Sequence, residues 1–474
     1  MKILNTISGK KEEFIPRKGK KVQMFVCGPT VYDYIHIGNA RTFVFFDVIA
    51  KYLRHRGYEV NYIQNITDID NKIIERAQKE NADPLEYAKK YSDIFKENMK
   101  ALNVTSPEYK NATDHIPEMI KQVQTLLDKG NAYVIKNDGI YFDLSTFPDY
   151  GKLSGRTAGM ADDAVSRIDD SDKKRNRGDF AIWKFSQEND PSWPAPFGAG
   201  RPGWHIEDTA ITEKYFSPQY DIHGGGQDLI FPHHEAEIAQ QCSAALIKPK
   251  DFVKYWMHVG FLVNKEEKMS KSLGNFETLH ETLKKYSPEV LRFYFLSAHY
   301  RSPLDFNDKI IKASQAATNR LAEFVRKLKE FGPQLSGGQL IPKNYISGLD
   351  GSFKRAMDND FNTPETFETV FQLLNKINPL LDAKGVGQKD AEKLLEILDD
   401  INTVMGVIPV KQEKIPAEIC ELVEKREKLR KEEKWEDADK IRAQIEDRGY
   451  QVEDTVYGPL VIKIVKHSSR RLYF

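Results

Sequence analysis

The stretch from Val22 to Ile66 constrains this chain most. Residues 22–27 (VQMFVC) form a short apolar run that stops at Gly28–Pro29. From about Asn39 to His55 apolar residues recur at helical spacing, and 58–66 (YEVNYIQNI) reads as another strand. Strand, Gly/Pro turn, helix and strand make a βαβ opening, which requires a parallel sheet with crossover helices. The pattern from Pro84 to Leu127 is mostly helical. Between 131 and 204 it changes to short strands (AYVI, GIYFDL) among Gly, Pro, Asp and Arg, an insertion rich in loop rather than a continuation of the sheet. A strand-like run at 220–223 and a helix from about Pro232 restore the α/β texture. Residues 309–332 and 350–406 are helical by pattern, with a Gly/Pro-rich break at 332–348 between them. A second break at 406–416 sets off a small C-terminal unit, with a charged helix at 418–447 and a strand-rich end containing GPLVIKIV.

At 474 residues the chain can hold two or three domains, each with its own core. Lys+Arg and Asp+Glu each number 70, so global charge neither supports nor excludes a nucleic-acid partner; the placement of charge decides that. The opening run MKILNTISGKKEEF lacks an apolar signal core, and no apolar run reaches the roughly 18 residues a membrane helix needs. Cys27, Cys242 and Cys420 contain no CxxC pair and are too few for a disulfide framework. The expectation is a cytoplasmic protein with no membrane partner.

Two constellations carry chemistry. In Cys27-Gly-Pro-Thr-Val-Tyr-Asp-Tyr-Ile-His36-Ile-Gly38-Asn39-Ala-Arg41, Gly28 and Pro29 turn the chain off the strand. His36 and Asn39 lie three apart near a helix start, where unpaired N–H groups favour a phosphate. A Gly/Pro loop that merely caps a helix would read the same way. In Lys268-Met-Ser-Lys271-Ser272, two lysines three apart can place positive charge on a pyrophosphate leaving group, although such a loop can also simply face solvent.

Together these residues resemble a known family. HIGN at 36–39 resembles the HIGH signature of class I aminoacyl-tRNA synthetases, with Asn39 in place of the second histidine, and KMSKS matches their second signature in full. The resemblance implies in-line attack of an amino-acid carboxylate on the α-phosphate of ATP, with Mg²⁺, to give an aminoacyl-adenylate. His36, Asn39, Lys268 and Lys271 are then the catalytic residues, and Thr30, Gly225, Gly226, Asp228 and Met269 complete the nucleotide site. His223-Gly-Gly-Gly226-Gln-Asp228 is similar to the family stretch against adenine and ribose; by itself GGG is a flexible turn.

Within that class the resemblance is to the cysteinyl-tRNA synthetases and covers essentially the whole chain. FPHHEAEIAQ is similar to their block carrying two zinc ligands, here His233 and Glu237, four apart and so on one helical face. His234, about 100° further round, is expected to point elsewhere. Cys27 corresponds to another ligand, and RPGWHIED (201–208) to the block with the last, where Asp208 stands in place of the family's cysteine. The implied set is Cys27, Asp208, His233 and Glu237, with one zinc per chain. Zinc accepts carboxylate oxygen; the alternative is that Asp208 abolishes binding or admits another metal. Zinc on the substrate thiolate would separate cysteine from serine, which shape alone does poorly. By resemblance Cys27, Gly28, Thr67 and Trp204 line the cysteine pocket, with His205 nearby. Otherwise Thr67 reads as a helix N-cap and Trp204 and His205 as loop aromatics.

The implied fold is α/β: a Rossmann-like parallel-sheet catalytic domain (1–130 and 201–308), an inserted connective subdomain (131–200), a helical bundle that contacts tRNA (309–408) and an anticodon-binding unit (409–474). In the last, Arg426, Arg430, Lys431 and Lys434 would lie near phosphates, and Trp435, Ala438, Ile441 and Ile445 would form the buried stripe. The same run would also serve as a solvated helix with ion pairs. The implied partners are L-cysteine, ATP and tRNA(Cys), with a leaning towards a monomer. Two other classes stay open: an ATP-dependent ligase of cysteine to a small-molecule amine, and a non-catalytic RNA-binding relative. A class I synthetase for another amino acid is a third reading.

Overall fold

The computed structural model describes residues 1–156, 171–187, 190–264, 267–268, 277–331, 341–383, 386–409, 416–455 and 458–463. The chain opens with a hairpin of β1 (Lys2–Asn5) and β2 (Lys10–Glu13), then enters the sheet at β3 (Lys21–Val26). Helix α1 (Ile37–His55) crosses to β4 (Glu59–Ile66); α2 (Asn71–Lys79) and α3 (Pro84–Ala101) lead to β5 (Glu108–Asn111) and α4 (Ile116–Asp128). Four short strands follow, β6 (Ala132–Ile135), β7 (Gly139–Phe142), β8 (Phe180–Phe185) and β9 (Gly200–Pro202). The chain returns through α5 (Ile206–Phe216), β10 (Tyr220–Gly226), α6 (Glu235–Ala245), the one-turn α7 (Pro249–Phe252) and β11 (Val253–Val259).

Strands β11-β10-β3-β4-β5 form one parallel sheet, as the βαβ opening requires. Strand β5, hidden in a stretch read as helical, is its edge. The insertion is a separate antiparallel sheet, β6-β7-β8-β9. Alternation along β3 decides what lies on each face of the parallel sheet. Met24 and Val26 enter the core packed on α1, whereas Phe25 and Cys27 enter the core shared with α4, α5 and α6. Helix α1 is apolar on nearly every side and buried along most of its length, the mark of a core helix.

Beyond β11, β12 (Leu262–Asn264) pairs antiparallel with β13 (Glu267–Lys268), and after α8 (Leu279–Lys285) and α9 (Pro288–Leu296) it pairs parallel with β14 (Leu304–Asp305). Helix α1 is tied to both ends of this region. The buried Arg41 guanidinium donates to the carbonyls of Gly260, Phe261, His299 and Ser302 at 2.7–3.2 Å. Burial lowers its pKa to about 10, so it stays charged at neutral pH. At the other end Ile37 N–H donates to Glu277 O (3.1 Å) and Leu279 N–H to Ile35 O (3.0 Å).

Four helices complete the main body, α10 (Asp308–Phe331), α11 (Lys343–Asp358), α12 (Thr363–Asp382) and α13 (Gln388–Met405). Their apolar faces continue the core on the α1 side of the sheet without a break. A small separate core holds α14 (Ala417–Lys431), α15 (Trp435–Asp447), β15 (Tyr450–Thr455) and β16 (Gly458–Lys463). The charged run at 418–447 is therefore two helices, broken at Glu433, whose φ of +59° no helix tolerates. Trp435, expected in the buried stripe, is 55% exposed, while Ala438, Ile441 and Ile445 are buried. Arg426 does not face solvent: it is buried and held in a fork by Asp454 (2.7 and 2.8 Å). Arg430 pairs with the same carboxylate (2.9 Å), and Lys434 with Glu432. Among the described residues no helix is long and apolar enough to cross a membrane.

One buried ion pair joins the sheet layer to the bundle. Arg292 of α9 contacts Asp47 of α1 at 3.1 Å and donates to Leu102 O, Asn103 O and Met405 O. Burial pushes the Asp47 carboxyl up, but Arg292 and Lys51 outweigh it and hold it below its ordinary value. Replacing Arg292 by alanine leaves Asp47 buried without its main partner. We expect it to cost about 3–5 kcal/mol, measured by urea unfolding. The native pair's contribution is complete above the unfolded pKa of about 4 and is lost as pH falls through the lower folded value, so the gap between the two proteins should narrow in acid.

Candidate active site and metal centre

The chain leaves β3 at Cys27, at the carboxyl end of the parallel strands, where ligands of such sheets bind. Gly28 has no room for a side chain, since a Cβ there would lie 1.7 Å from Asn65 O; its N–H donates to Asn65 Oδ1 at 2.6 Å. Across the same gap Val31 N–H donates to Thr67 O and Thr67 N–H donates to Pro29 O, both at 3.1 Å. Thr67 is no N-cap: the cap of α2 is Asp70, and Thr67 Oγ1 donates to buried Glu207 Oε1 at 2.6 Å.

Cys27, Asp208, His233 and Glu237 come together as their sequence context implies, all buried, with ligand atoms within 4.8 Å of one another. Asp208 sits in the first turn of α5 and Glu237 in that of α6. His233 Nε2 lies 3.0 Å from Asp208 Oδ2 and 3.1 Å from Glu237 Oε1. Its ring is fixed by His205, Nδ1 to Nδ1 at 2.8 Å, and covered by Trp204, stacked at 4.4 Å and 42% exposed.

Sequence reasoning placed His223 only in the stretch against adenine and ribose, turned His234 away and did not single out His258. His234 does not turn away. Residues 230–234 are not regular α-helix, because Phe231 has extended dihedrals, and His234 Nε2 reaches Cys27 Sγ at 3.1 Å. His223, on β10, brings Nε2 to 3.3 Å from the same sulfur. Among the described residues a second group that could hold an ion is therefore Cys27, His223, His234 and Glu237. Gly225 makes room for it, since a Cβ there would press on the His234 ring at 3.0 Å. A sequence signal existed: histidines inside the apolar runs YDIHGGG and VKYWMHV are buried by position and need partners.

Electrostatics favour a cation here. Burial, reinforced by Asp208 and Glu237, pushes the Cys27 thiol well up; burial and then Asp208 do the same to the Glu237 carboxyl. Burial holds His205, His223 and His234 well below their ordinary value, and His258 down to about 3. The imidazoles are thus neutral and able to ligate. Asp208 Oδ1 and Glu237 Oε2 are buried with no hydrogen-bond partner, a state that a divalent ion relieves. These donors fit a metal ion.

The nucleotide residues surround the same strand ends. His36 caps α1, its Nδ1 accepting from Gly38 N–H at 2.7 Å, and Asn39 is exposed in the first turn. Thr30 bridges to Thr67. Gly226 ends β10, with Asp228 exposed just beyond. Lys268 lies in β13; Met269 and Lys271 fall outside the described residues.

Comparison with known proteins decides between the classes left open. Residues 13–316 match the class I (C) tRNA synthetase catalytic domain, 352–409 the DALR domain and 412–456 the cysteinyl-tRNA ligase anticodon binding domain. The chain belongs to the cysteinyl-tRNA ligase family. The cysteine--tRNA ligase of Carboxydothermus hydrogenoformans is 43% identical over 97% of this chain and 99% of its own length. That of Thermococcus gammatolerans is 43% identical over 97% and 98%. Methionyl-tRNA synthetase from Mycobacterium tuberculosis, solved with methionyl-adenylate, shares the fold (TM-score 0.61, 15% identity, 82% of this chain and 92% of that one). An Agrobacterium radiobacter LeuRS–tRNA–LeuAMS complex does so too (TM-score 0.61, 12% identity, 82% and 84%).

In this family member, Gly28→Ala forces β3 and β4 apart. We expect about 1–3 kcal/mol of destabilisation in thermal or urea unfolding, together with loss of cysteine activation.

Proposed function

We propose that the buried cluster behind Trp204 holds one zinc ion and that this ion separates cysteine from serine during activation. Family membership makes the chain an ATP-dependent ligase that activates cysteine and transfers it to tRNA(Cys). One observation carries the zinc reading: a buried thiol, an imidazole and two carboxylates, each with an orphaned oxygen, converge within reach of a single ion. Cys27 and Glu237 anchor it, and Asp208 and His233 close the side towards Trp204. When bound, zinc supplies a soft Lewis acid for the substrate thiolate, an interaction that a serine hydroxyl replaces poorly.

The chain's own residues do the rest. His205 fixes the His233 ring, and Trp204 covers it on the open side, keeping water from the pocket. Thr67 and Glu207 form the polar wall beside Gly28, where the α-amino and carboxylate groups of cysteine fit. The first turn of α1, with His36 and Asn39, and the end of β10, with Gly225, Gly226 and Asp228, take ATP with its Mg²⁺; Thr30 adds to this wall. Lys268, Met269 and Lys271 act on the phosphates by resemblance to the second signature. The carboxylate of cysteine is already a nucleophile, so no general base is needed. α10–α13 and the C-terminal unit take the tRNA. A cytoplasmic monomer is part of the proposal and rests on the resemblance alone.

The test is ATP–pyrophosphate exchange with cysteine and serine in parallel, zinc being quantified on the same sample. About one zinc per chain and discrimination on the order of 10⁴-fold are expected, and chelation should abolish that discrimination. Undiminished rejection of serine by metal-free protein would overturn the proposal. Zinc uptake must also displace protons from the raised Cys27 and Glu237 groups. Adding zinc to the metal-free protein in weak buffer should therefore release acid, and apparent affinity should fall as pH drops.

A further inference from the structure

The turn that joins α11 to α12 is strained, and a buried carboxylate holds it. Asp360 and Phe361 have φ of +65° and +52°. A phenylalanine rarely enters that region, and such strain persists only where the surroundings fix it. Asp360 is fully buried. Its N–H donates to Lys2 O, and its Oδ1 accepts from Leu4 N–H and from the Tyr300 hydroxyl, each at 2.8 Å. Its Oδ2 takes both Nε and Nη2 of Arg301 at 2.9 Å, with His299 Nε2 at 3.7 Å. One carboxylate of the helical bundle therefore grips the N-terminal hairpin and the segment between α9 and β14.

That segment is held from the other side as well. Arg41 of α1 donates to His299 O and Ser302 O, so residues 299–302 lie between the signature helix and the turn at Asp360. They also seat β12. Gly260 N–H donates to Tyr300 O at 2.8 Å, and a Cβ at Gly260 would lie 2.7 and 2.8 Å from Arg301 O and Ser302 O. Leu304 N–H and Phe306 N–H then donate to Phe261 O and Val263 O. Val263 is the register partner of Lys268 in β13. A continuous line of side-chain and strand pairings thus runs from Asp360 through β14 and β12 to the first lysine of the second signature.

We propose that Asp360, although it belongs to the bundle, is a positioning residue for adenylation. Through Arg301 and Tyr300 it sets where Lys268 meets the departing pyrophosphate. The proposal rests on the reading of Lys268 as a group that acts on the phosphates. Two features favour it over a role in stability alone. Strands β13 and β14 have two residues each and β12 has three, too short for their own pairing to fix their place. The grip at 299–302 must do that. The strained turn, moreover, is built so that its carboxylate reaches this segment from a separate layer, and small displacements of a group acting on reacting atoms are costly.

The experiment compares full-length D360N, R301Q, their double variant and K268A in cysteine-dependent ATP–pyrophosphate exchange, beside thermal unfolding. Exchange is run without tRNA, so a loss there does not come from an altered tRNA contact. D360N and R301Q should each lower kcat roughly ten- to a hundredfold and leave KM for cysteine within about twofold of the parent. The double variant should be no slower than the slower single one, because both act through one link. R301Q alters a half-exposed side chain and decides the matter if D360N does not fold. An unchanged kcat at any melting temperature, a loss confined to KM, or single losses that multiply in the double variant overturns the proposal. Full exchange by K268A overturns the reading of Lys268 and the proposal with it, whereas a slow K268A beside unaffected D360N and R301Q overturns the proposal alone.

Discussion

Ionisable groups withdrawn from water must be paired, neutralised or given an ion, and the centre of this protein is built around that requirement. Cys27, Asp208, Glu237, Glu207 and five histidines share one nearly dry pocket. No single element could assemble it. β3 brings the thiol, β10 and β11 bring His223 and His258, and α5 and α6 bring the carboxylates at their first turns. The parallel sheet provides the geometry because all its central strands end on the same side, so their last residues converge. The packing of α4, α5 and α6 then excludes the solvent that would otherwise let each charge stand alone.

Much of this was legible in the chain. The strand–turn–helix–strand opening identified the sheet, and the local contexts of Cys27, Asp208, His233 and Glu237 identified residues that the fold does bring together. Each was singled out by resemblance to a family block: Cys27 at a strand end before Gly-Pro, Asp208 in RPGWHIED, and His233 and Glu237 in FPHHEAEIAQ. His223, His234 and His258 were missed for a physical reason. Their role depends on which strands are adjacent and on a break in helical geometry at Phe231, neither of which periodicity encodes. The helix-wheel argument that sent His234 away assumed a regular helix where there is none.

The C-terminal unit was misread in a different way. Arginines in a charged helix look solvated, yet Arg426 is buried because Asp454, on a strand formed much later in the chain, supplies a forked partner. Trp435 looks like core, yet the break at Glu433 places it at the start of a new helix, where it lies exposed beside Arg430. Composition reports how many charges and rings are present; only tertiary pairing says which of them remain on the surface.

The continuous core on the α1 side runs from Ile3 to Ile408 and binds the catalytic sheet to the helical bundle, whereas the C-terminal unit keeps a core of its own. The two regions expected to meet tRNA thus stand in different mechanical relations to the chemistry. The bundle is part of the same solid as the adenylation site, so a nucleic-acid stem resting on it presses on one face of the catalytic sheet. The C-terminal unit packs on a small core of its own, so altering that core leaves the packing around the catalytic sheet as it was.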